Sequence, residues 1–222
     1  KFGVPARRAL EAYARAAALP GIRVQGIATH IGSQLTELEP FEQAFRCHAE
    51  LCRSLRAAGH DITVLDIGGR LGIDYHDGGT QPPALTDYAA LARRILAPLG
   101  CRILIEPGRS VVGEAGVLVT SVIYVKEGEE VRFLIVDAGM NDLLRPSLYG
   151  ARHENVPVRR ADGPSFLHDV VGPICETGDT FARALELPLL EAGDRVVIGN
   201  AGAYGAVMAS TYNTRPLVPE VL

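Results

Sequence analysis

"TDYAALARRILAPLGCRILIEPGRS", residues 86–110, decides how the first half of the chain is read. A helix-length segment from Thr86 to Leu99 gives way to the apolar run RILIEP, which ends in a Pro-Gly turn flanked by Glu106 and Arg109. The same order occurs twice upstream. A segment from about Pro40 to Ala58 reads as a helix and leads to ITVLDI, and the helix after Pro5, ARRALEAYARAAAL, leads to GIRVQGIATH. Strands alternating with helices predict a parallel sheet with helical cover, either an open doubly wound sheet or part of a barrel. Three such units cannot close an eight-stranded barrel, and the chain opens on a helix with no strand before it. The sequence is therefore expected to be the carboxyl-terminal portion of a longer protein.

Beyond Ser110 the texture changes. VVGEAGVLVTSVIYVKE, EVRFLIVDA, NVPVRR, FLHDVVG and DRVVIGNAG are β-rich and punctuated by Gly and Pro. They predict a second, mainly antiparallel β-domain over 111–222, after a first α/β domain over 1–110.

With 222 residues, 47% hydrophobic and 22% charged, the chain has ample material for a core. A net charge of −4 and arginines scattered along the chain leave no basic footprint for nucleic acid or an anionic membrane. No stretch approaches a membrane span and the amino terminus has no signal-peptide core, so a cytoplasmic setting is expected. Cys47, Cys52, Cys101 and Cys175 are widely spaced without a CxxC pair. They are expected to be reduced thiols, with no metal site. Of the 22 basic residues only Lys1 and Lys126 are lysines.

The ends of the three predicted parallel strands carry polar groups: THIGSQ (29–34), DIGGRLG (66–72) and EPGRS (106–110). In a barrel, catalytic and phosphate-binding groups collect at such ends. Gly68 and Gly69 can let backbone N–H groups approach a phosphate, with Ser33 adding a hydroxyl, or they can simply make a tight turn. The His30 ring suits stacking on an aromatic cofactor as well as a hydrogen-bonded strand end. Glu106 and Arg109 read as a local ion pair, or as a carboxylate holding a proton on a heterocyclic nitrogen beside a guanidinium that grips a carboxylate. GPICETGD (172–179) allows a polar turn with one buried thiol, or an acid and a thiol aimed at a shared site. GNAGAYG (199–205) allows a backbone bend or a presented Tyr204 phenol. The dinucleotide fingerprint GxGxxG is not matched.

Taken in order, HIGSQ, LDIGG, EPGRS, VDAGMNDLLRPSLYGA, VVGPICETGD and AGAYGAVMASTYNTRP resemble the diaminopimelate decarboxylase family of fold-type III pyridoxal-phosphate enzymes. The resemblance spans almost the whole chain, and CETGD with MNDLLRPSLYGA favours this family over its ornithine and arginine decarboxylase relatives. It implies an alanine-racemase-like barrel followed by a β-domain, a homodimer with shared sites, and pyridoxal 5'-phosphate as cofactor. It also implies decarboxylation of meso-2,6-diaminopimelate to L-lysine and carbon dioxide, the last step of lysine biosynthesis.

Carried onto this sequence, the resemblance implies that His30 stacks on the cofactor ring and that Glu106 pairs with its pyridinium nitrogen. Ser33, the Gly68–Gly69 backbone and the turn through Gly108 and Arg109 would hold the phosphate, with Tyr204 contributing. Arg109, Arg145, Tyr149 and Tyr204 would bind substrate. Cys175, the candidate proton donor, and Glu176 would come from a partner subunit. An arginine suits the second carboxylate of diaminopimelate by its fork geometry. Arg145 and Tyr149, four residues apart, would then face one site, although a turn braced by an arginine stacked on a tyrosine fits the same spacing.

Two departures from the family pattern stand out. Neither lysine matches the family's Schiff-base lysine, so this chain alone is expected not to turn over substrate. The family's GGG phosphate loop reads Gly68-Gly69-Arg70 here, and the Arg70 side chain either crowds the loop or adds a phosphate contact. The competing readings are a decarboxylase of another basic amino acid or polyamine precursor, and a non-catalytic homologue that binds or regulates a partner.

Overall fold

The computed structural model describes residues 2–75, 79, 81–159 and 163–222; Lys1 and Arg160 lie outside the described residues. Two compact units divide the chain. The first comprises Lys1–Gly72 with Thr80–Pro107, and the second comprises Ile73–Gly79 with Gly108–Leu222. The short stretch after Gly72 thus belongs with the β-rich half, a long-range association that local sequence texture does not signal.

In the first unit, α1 (Ala9–Ala17), β1 (Gly26–Ala28), α2 (Glu39–Ala57), β2 (Val64–Asp66), α3 (Leu85–Leu96) and β3 (Arg102–Leu104) alternate. The strands form a parallel sheet in chain order, β1-β2-β3, without the reversal that marks a doubly wound sheet. The sequence predicts strands of six to ten residues here, but regular pairing covers only three in each. α2 begins with Pro40 in its first turn beside Glu39 and Glu42, which complement the exposed N–H groups of that end. Its buried residues, Phe41, Phe45, His48, Ala49, Cys52 and Leu55, recur at helical spacing and face one side. They pack with Leu65, Ile67 and the buried face of α3 in a single core, where Phe41 meets Tyr88 edge-on at 5.0 Å. α3 runs into a short 3-10 turn that Gly100 closes in the left-handed conformation before β3.

The second unit holds α4 (Arg109–Val112), β4 (Leu118–Glu127), β5 (Arg132–Val136), α5 (Arg145–Tyr149), β6 (Asn155–Pro157), β7 (Ser165–Val171), β8 (Thr180–Pro188) and β9 (Arg195–Ile198). They form a six-stranded sheet in the order β6-β9-β4-β5-β7-β8, antiparallel except for the β5–β7 pair. β4 joins the halves: Leu118–Ser121 pair with β9, and Val122–Glu127 with β5 across a register shift after Val122. Leu134, Val136, Val170, Val196 and Ile198 form the centre of its core.

Two sequence expectations are corrected in this unit. Residues 109–112 make one helical turn rather than the start of a strand. β8 is absent from the sequence reading because its Ala, Leu and Arg content favours helix and its alternation is broken by register shifts. At the shift, Ala184 takes a φ of 47° and donates its N–H to Asp169 Oδ1 at 2.8 Å.

No helix among the described residues is long and apolar enough to cross a membrane, and no group of three or more His, Cys, Asp and Glu side chains there could hold a metal ion.

His48 supplies a pH test of the first core. It is 1% exposed, and neither ring nitrogen has a hydrogen-bond partner among the described residues. Burial, reinforced by the Arg70 charge, lowers its pKa from 6.5 to about 4. The unfolded chain therefore binds a proton that the folded chain refuses between these values. The stability contributed by a neutral His48 is complete above pH 6.5 and is lost as pH falls toward 4, by about 3 kcal/mol at the lower limit. Urea titrations of the full-length protein and of His48→Leu between pH 7 and pH 4 should show a smaller loss in the variant. Parallel losses would contradict the depressed pKa.

Candidate functional site

The strand ends of the first unit present the expected polar residues. His30 and Ser33 follow β1 and are exposed; Glu106 follows β3, is exposed, and makes no ion pair among the described residues. The turn after β2 is tied to its neighbours. Gly68 has a φ of 69°, donates its N–H to Asp66 Oδ1 at 2.9 Å, and accepts the Glu106 N–H through its carbonyl at 3.1 Å. A Cβ on Gly69 would overlap the Glu106 carbonyl oxygen, so glycine is required there by the approach of the two strand ends. Neither the Gly69 nor the Arg70 N–H donates to an acceptor among the described residues. Two adjacent free N–H groups beside a positive-φ glycine suit an anion.

Arg70 settles into the core. It is 4% exposed with a φ of 32°. Its Nη2 donates to Thr29 Oγ1 at 2.7 Å, while Nε and Nη1 have no partner among the described residues. Burial lowers its pKa, against the attraction of Tyr88, Asp66 and Glu106. Buried and bonded to Thr29, the guanidinium is enclosed within this unit.

The second unit gathers two arginines around one tyrosine. Arg145 enters from α5 and is 6% exposed, with its guanidinium carbon 4.6 Å from the centre of the Tyr75 ring. Arg109, from α4, donates Nη1 to the Tyr75 hydroxyl and lies 4.9 Å over the Tyr204 ring, with its buried Nε unpartnered. Tyr204 has a φ of 60° and stands close to Gly108, where an added Cβ would lie 3.7 Å from the phenol oxygen. The bend and the presented phenol therefore coexist.

His153 orients Arg145. Its Nδ1 lies 2.8 Å from the Gly199 carbonyl, which can only accept, and its Nε2 lies 2.8 Å from Arg145 Nη1, which can only donate. These partners assign a neutral ring with the proton on Nδ1. Burial, with Arg145 and Arg109, lowers the His153 pKa and favours that state; burial, with Arg109, also lowers the Arg145 pKa. No carboxylate pairs with either arginine among the described residues. A buried Arg145 and a half-buried Arg109 without an internal counter-ion suit an external anion.

Tyr149 is 65% exposed, so the stacking partner of Arg145 is Tyr75 rather than its helical neighbour. Cys175 is exposed, so of the two readings of this turn the one with a buried thiol is not met. Its turn is organised by Asp179, whose carboxylate accepts the N–H of Ile174 and of Met140, each at 2.7 Å, and fills the space a Cβ on Gly172 would need. Burial pushes the Asp179 carboxyl up. Glu176 accepts the Tyr212 hydroxyl at 2.6 Å. Neither Cys175 nor Glu176 bonds to Arg109, Arg145 or Tyr204 among the described residues.

Sequence reasoning missed Tyr75, His153 and Arg215. Arg215 donates Nε to Asn141 Oδ1 at 3.0 Å and Nη2 to the Asp137 carbonyl, fastening the loop that leads to α5. Only the eight-residue spacing between Arg145 and His153 offered any local signal. Lys126 lies on β4, exposed, 5.9 Å over the Phe133 ring.

Residues 28–202 match the family model described as pyridoxal-dependent decarboxylase, C-terminal sheet domain. The chain belongs to the pyridoxal-dependent decarboxylase family. It is 47% identical over 222 residues to a diaminopimelate decarboxylase of Zymomonas mobilis and 48% identical to that of Pseudomonas aeruginosa. All of the chain is covered, with 52% and 53% of those proteins. Among solved structures, diaminopimelate decarboxylase from Helicobacter pylori complexed with L-lysine aligns with a TM-score of 0.91 and 44% identity, covering 98% of this chain and 54% of that one. The chain spans about half the length of the curated relatives it matches.

The residues present fit the cofactor that names the pyridoxal-dependent decarboxylase family. In the first unit the free N–H pair at Gly69 and Arg70 suits a phosphate, and the exposed His30 ring and Glu106 carboxylate suit a protonated heterocycle. Gly69→Ala is expected to lower the Tm of the full-length protein by about 5 °C, because the new methyl group must part the β2 and β3 ends. A melting curve superimposable on that of the parent would show that the two strand ends separate freely.

Proposed function

We propose that the full-length protein containing this chain is a pyridoxal-phosphate-dependent decarboxylase converting meso-2,6-diaminopimelate to L-lysine and carbon dioxide. The observation that carries the reading is the buried Arg145 and the half-buried Arg109, which meet at Tyr75 with no carboxylate partner among the described residues. A substrate with an amino acid group at each end brings two carboxylates. The consecutive parallel strands of the first unit are read as part of an alanine-racemase-like barrel, in a homodimer with shared sites.

His30 would stack on the cofactor ring. Ser33, the N–H groups after Gly68 and the turn through Gly108 and Arg109 would hold the phosphate, with the Tyr204 hydroxyl contributing. Pyridoxal phosphate, when bound, supplies the electron sink for the pair released as carbon dioxide leaves. Glu106 keeps the proton on the ring nitrogen. Arg145, held by His153 and Tyr75, grips the distal carboxylate, while Tyr149 and Glu176 meet the distal polar groups. Cys175, from the partner subunit, donates a proton to the carbon that has lost carbon dioxide. No imine-forming lysine is assigned within this chain.

The test is carbon dioxide release by the full-length protein from meso-diaminopimelate, L-lysine, L-ornithine and L-arginine. Turnover is expected with diaminopimelate, and borohydride reduction should leave a pyridoxyl-phosphate adduct. Preferential turnover of ornithine or arginine would replace the substrate assignment, and a protein with neither turnover nor adduct would be a non-catalytic homologue.

Arg145→Ala should raise KM for diaminopimelate about 100-fold, the loss expected when a charged hydrogen-bonding partner is removed. His153→Phe keeps the ring but removes the acceptor for Arg145. It should raise KM about tenfold with kcat nearly retained, whereas an equal fall in kcat would place His153 in the chemical step.

A further inference from the structure

Cys52 and Cys101 are 49 residues apart in sequence, yet their sulfurs lie 3.9 Å apart in the first unit. Cys52 is fully buried on the inner face of α2, and Cys101 is half-buried just before β3. One turn after Cys52, Arg56 reaches across to the other thiol. Its Nη2 donates to Cys101 Sγ at 3.0 Å, while Nε donates to the Ile62 carbonyl at 3.0 Å and Nη1 to the Leu99 carbonyl at 2.8 Å. Those two carbonyls hold the guanidinium against the sulfur. Cys47 and Cys175 are exposed and have no sulfur neighbour among the described residues.

From this arrangement we propose that Cys52 and Cys101 form a peroxide-responsive pair that closes to a disulfide. Cys101, reached by solvent and backed by a fixed positive charge, attacks a hydroperoxide. Its sulfur–oxygen bond forms as the oxygen–oxygen bond breaks, and for hydrogen peroxide one water leaves. The Cys52 sulfur then attacks the Cys101 sulfenic acid. The sulfur–sulfur bond forms, the sulfur–oxygen bond breaks, and a second water departs with the Cys52 proton. Two thiols are oxidised by two electrons and one peroxide is reduced to two waters. Burial pushes the Cys52 thiol up, which leaves the first attack to Cys101. Closure needs the sulfurs to approach by about 2 Å, within the reach of side-chain rotation. The bond would tie α2 to the start of β3 across the same core layer. It would enclose β2 and α3 in its loop, where a cross-link restricts the unfolded chain most effectively.

The test treats the reduced full-length protein with a small excess of hydrogen peroxide, alkylates the remaining thiols, and maps the peptides. A linked Cys52–Cys101 pair is expected, with an intact-mass loss of about 2 Da and a Tm raised by about 5 °C, both reversed by dithiothreitol. In Cys52→Ala, Cys101 lacks its resolving thiol and should advance to the sulfinic acid, a gain of about 32 Da. Cys101→Ser should show neither change. Peroxide treatment that leaves Cys52 and Cys101 as alkylated thiols, or links either to Cys47 or Cys175, would overturn the proposal. Because the parent protein alone yields the linked peptide, the conclusion survives a variant that fails to fold.

Discussion

Two guanidiniums share one tyrosine ring, and much of the second unit is arranged to hold them there. Arg145 stacks on Tyr75 and Arg109 bonds to its hydroxyl, so a charge from α5 and a charge from α4 meet at one residue of the stretch after Gly72. Two like charges so placed repel, and burial adds a desolvation cost to Arg145. The arrangement persists because the aromatic face, the neutral His153 ring and the Gly199 carbonyl behind it supply partial negative charge from groups already fixed by the sheet. A carboxylate or phosphate entering this environment would complete the electrostatics.

The first unit is shaped by a steric constraint of its own. The turn after β2 must pass so close to the end of β3 that only glycine fits at position 69. The same closeness ties the Gly68 carbonyl to the Glu106 N–H and leaves the next two N–H groups free. Arg70, the departure from the family's third glycine, is reconciled with this turn by sending its side chain inward to Thr29, toward the interior that contains His48 and Tyr88. Its positive φ and unpartnered nitrogens are the cost of that placement.

The tight turn at 172–179 is organised by one buried residue: Asp179 accepts two backbone N–H groups, while Cys175 and Glu176 are exposed. Arg215 braces the Asn141–Asp142 loop in a comparable way from the far end of the chain.

The alternation of apolar helices and short strands, the polar residues at three strand ends, and the six ordered motifs were legible in the sequence because each is local and reflects periodicity or turn chemistry. Those features alone determined the α/β-then-β organisation, the family resemblance and the residues named for cofactor and substrate. Tertiary structure decided the rest: that Tyr75 joins the β-rich unit, that His153 fixes Arg145, that Arg70 turns to the core, that TFARALELP is a strand, and that Cys52 faces Cys101. Each depends on contacts between residues far apart in sequence, and only the packing of a common core brings such residues within a few ångströms of one another.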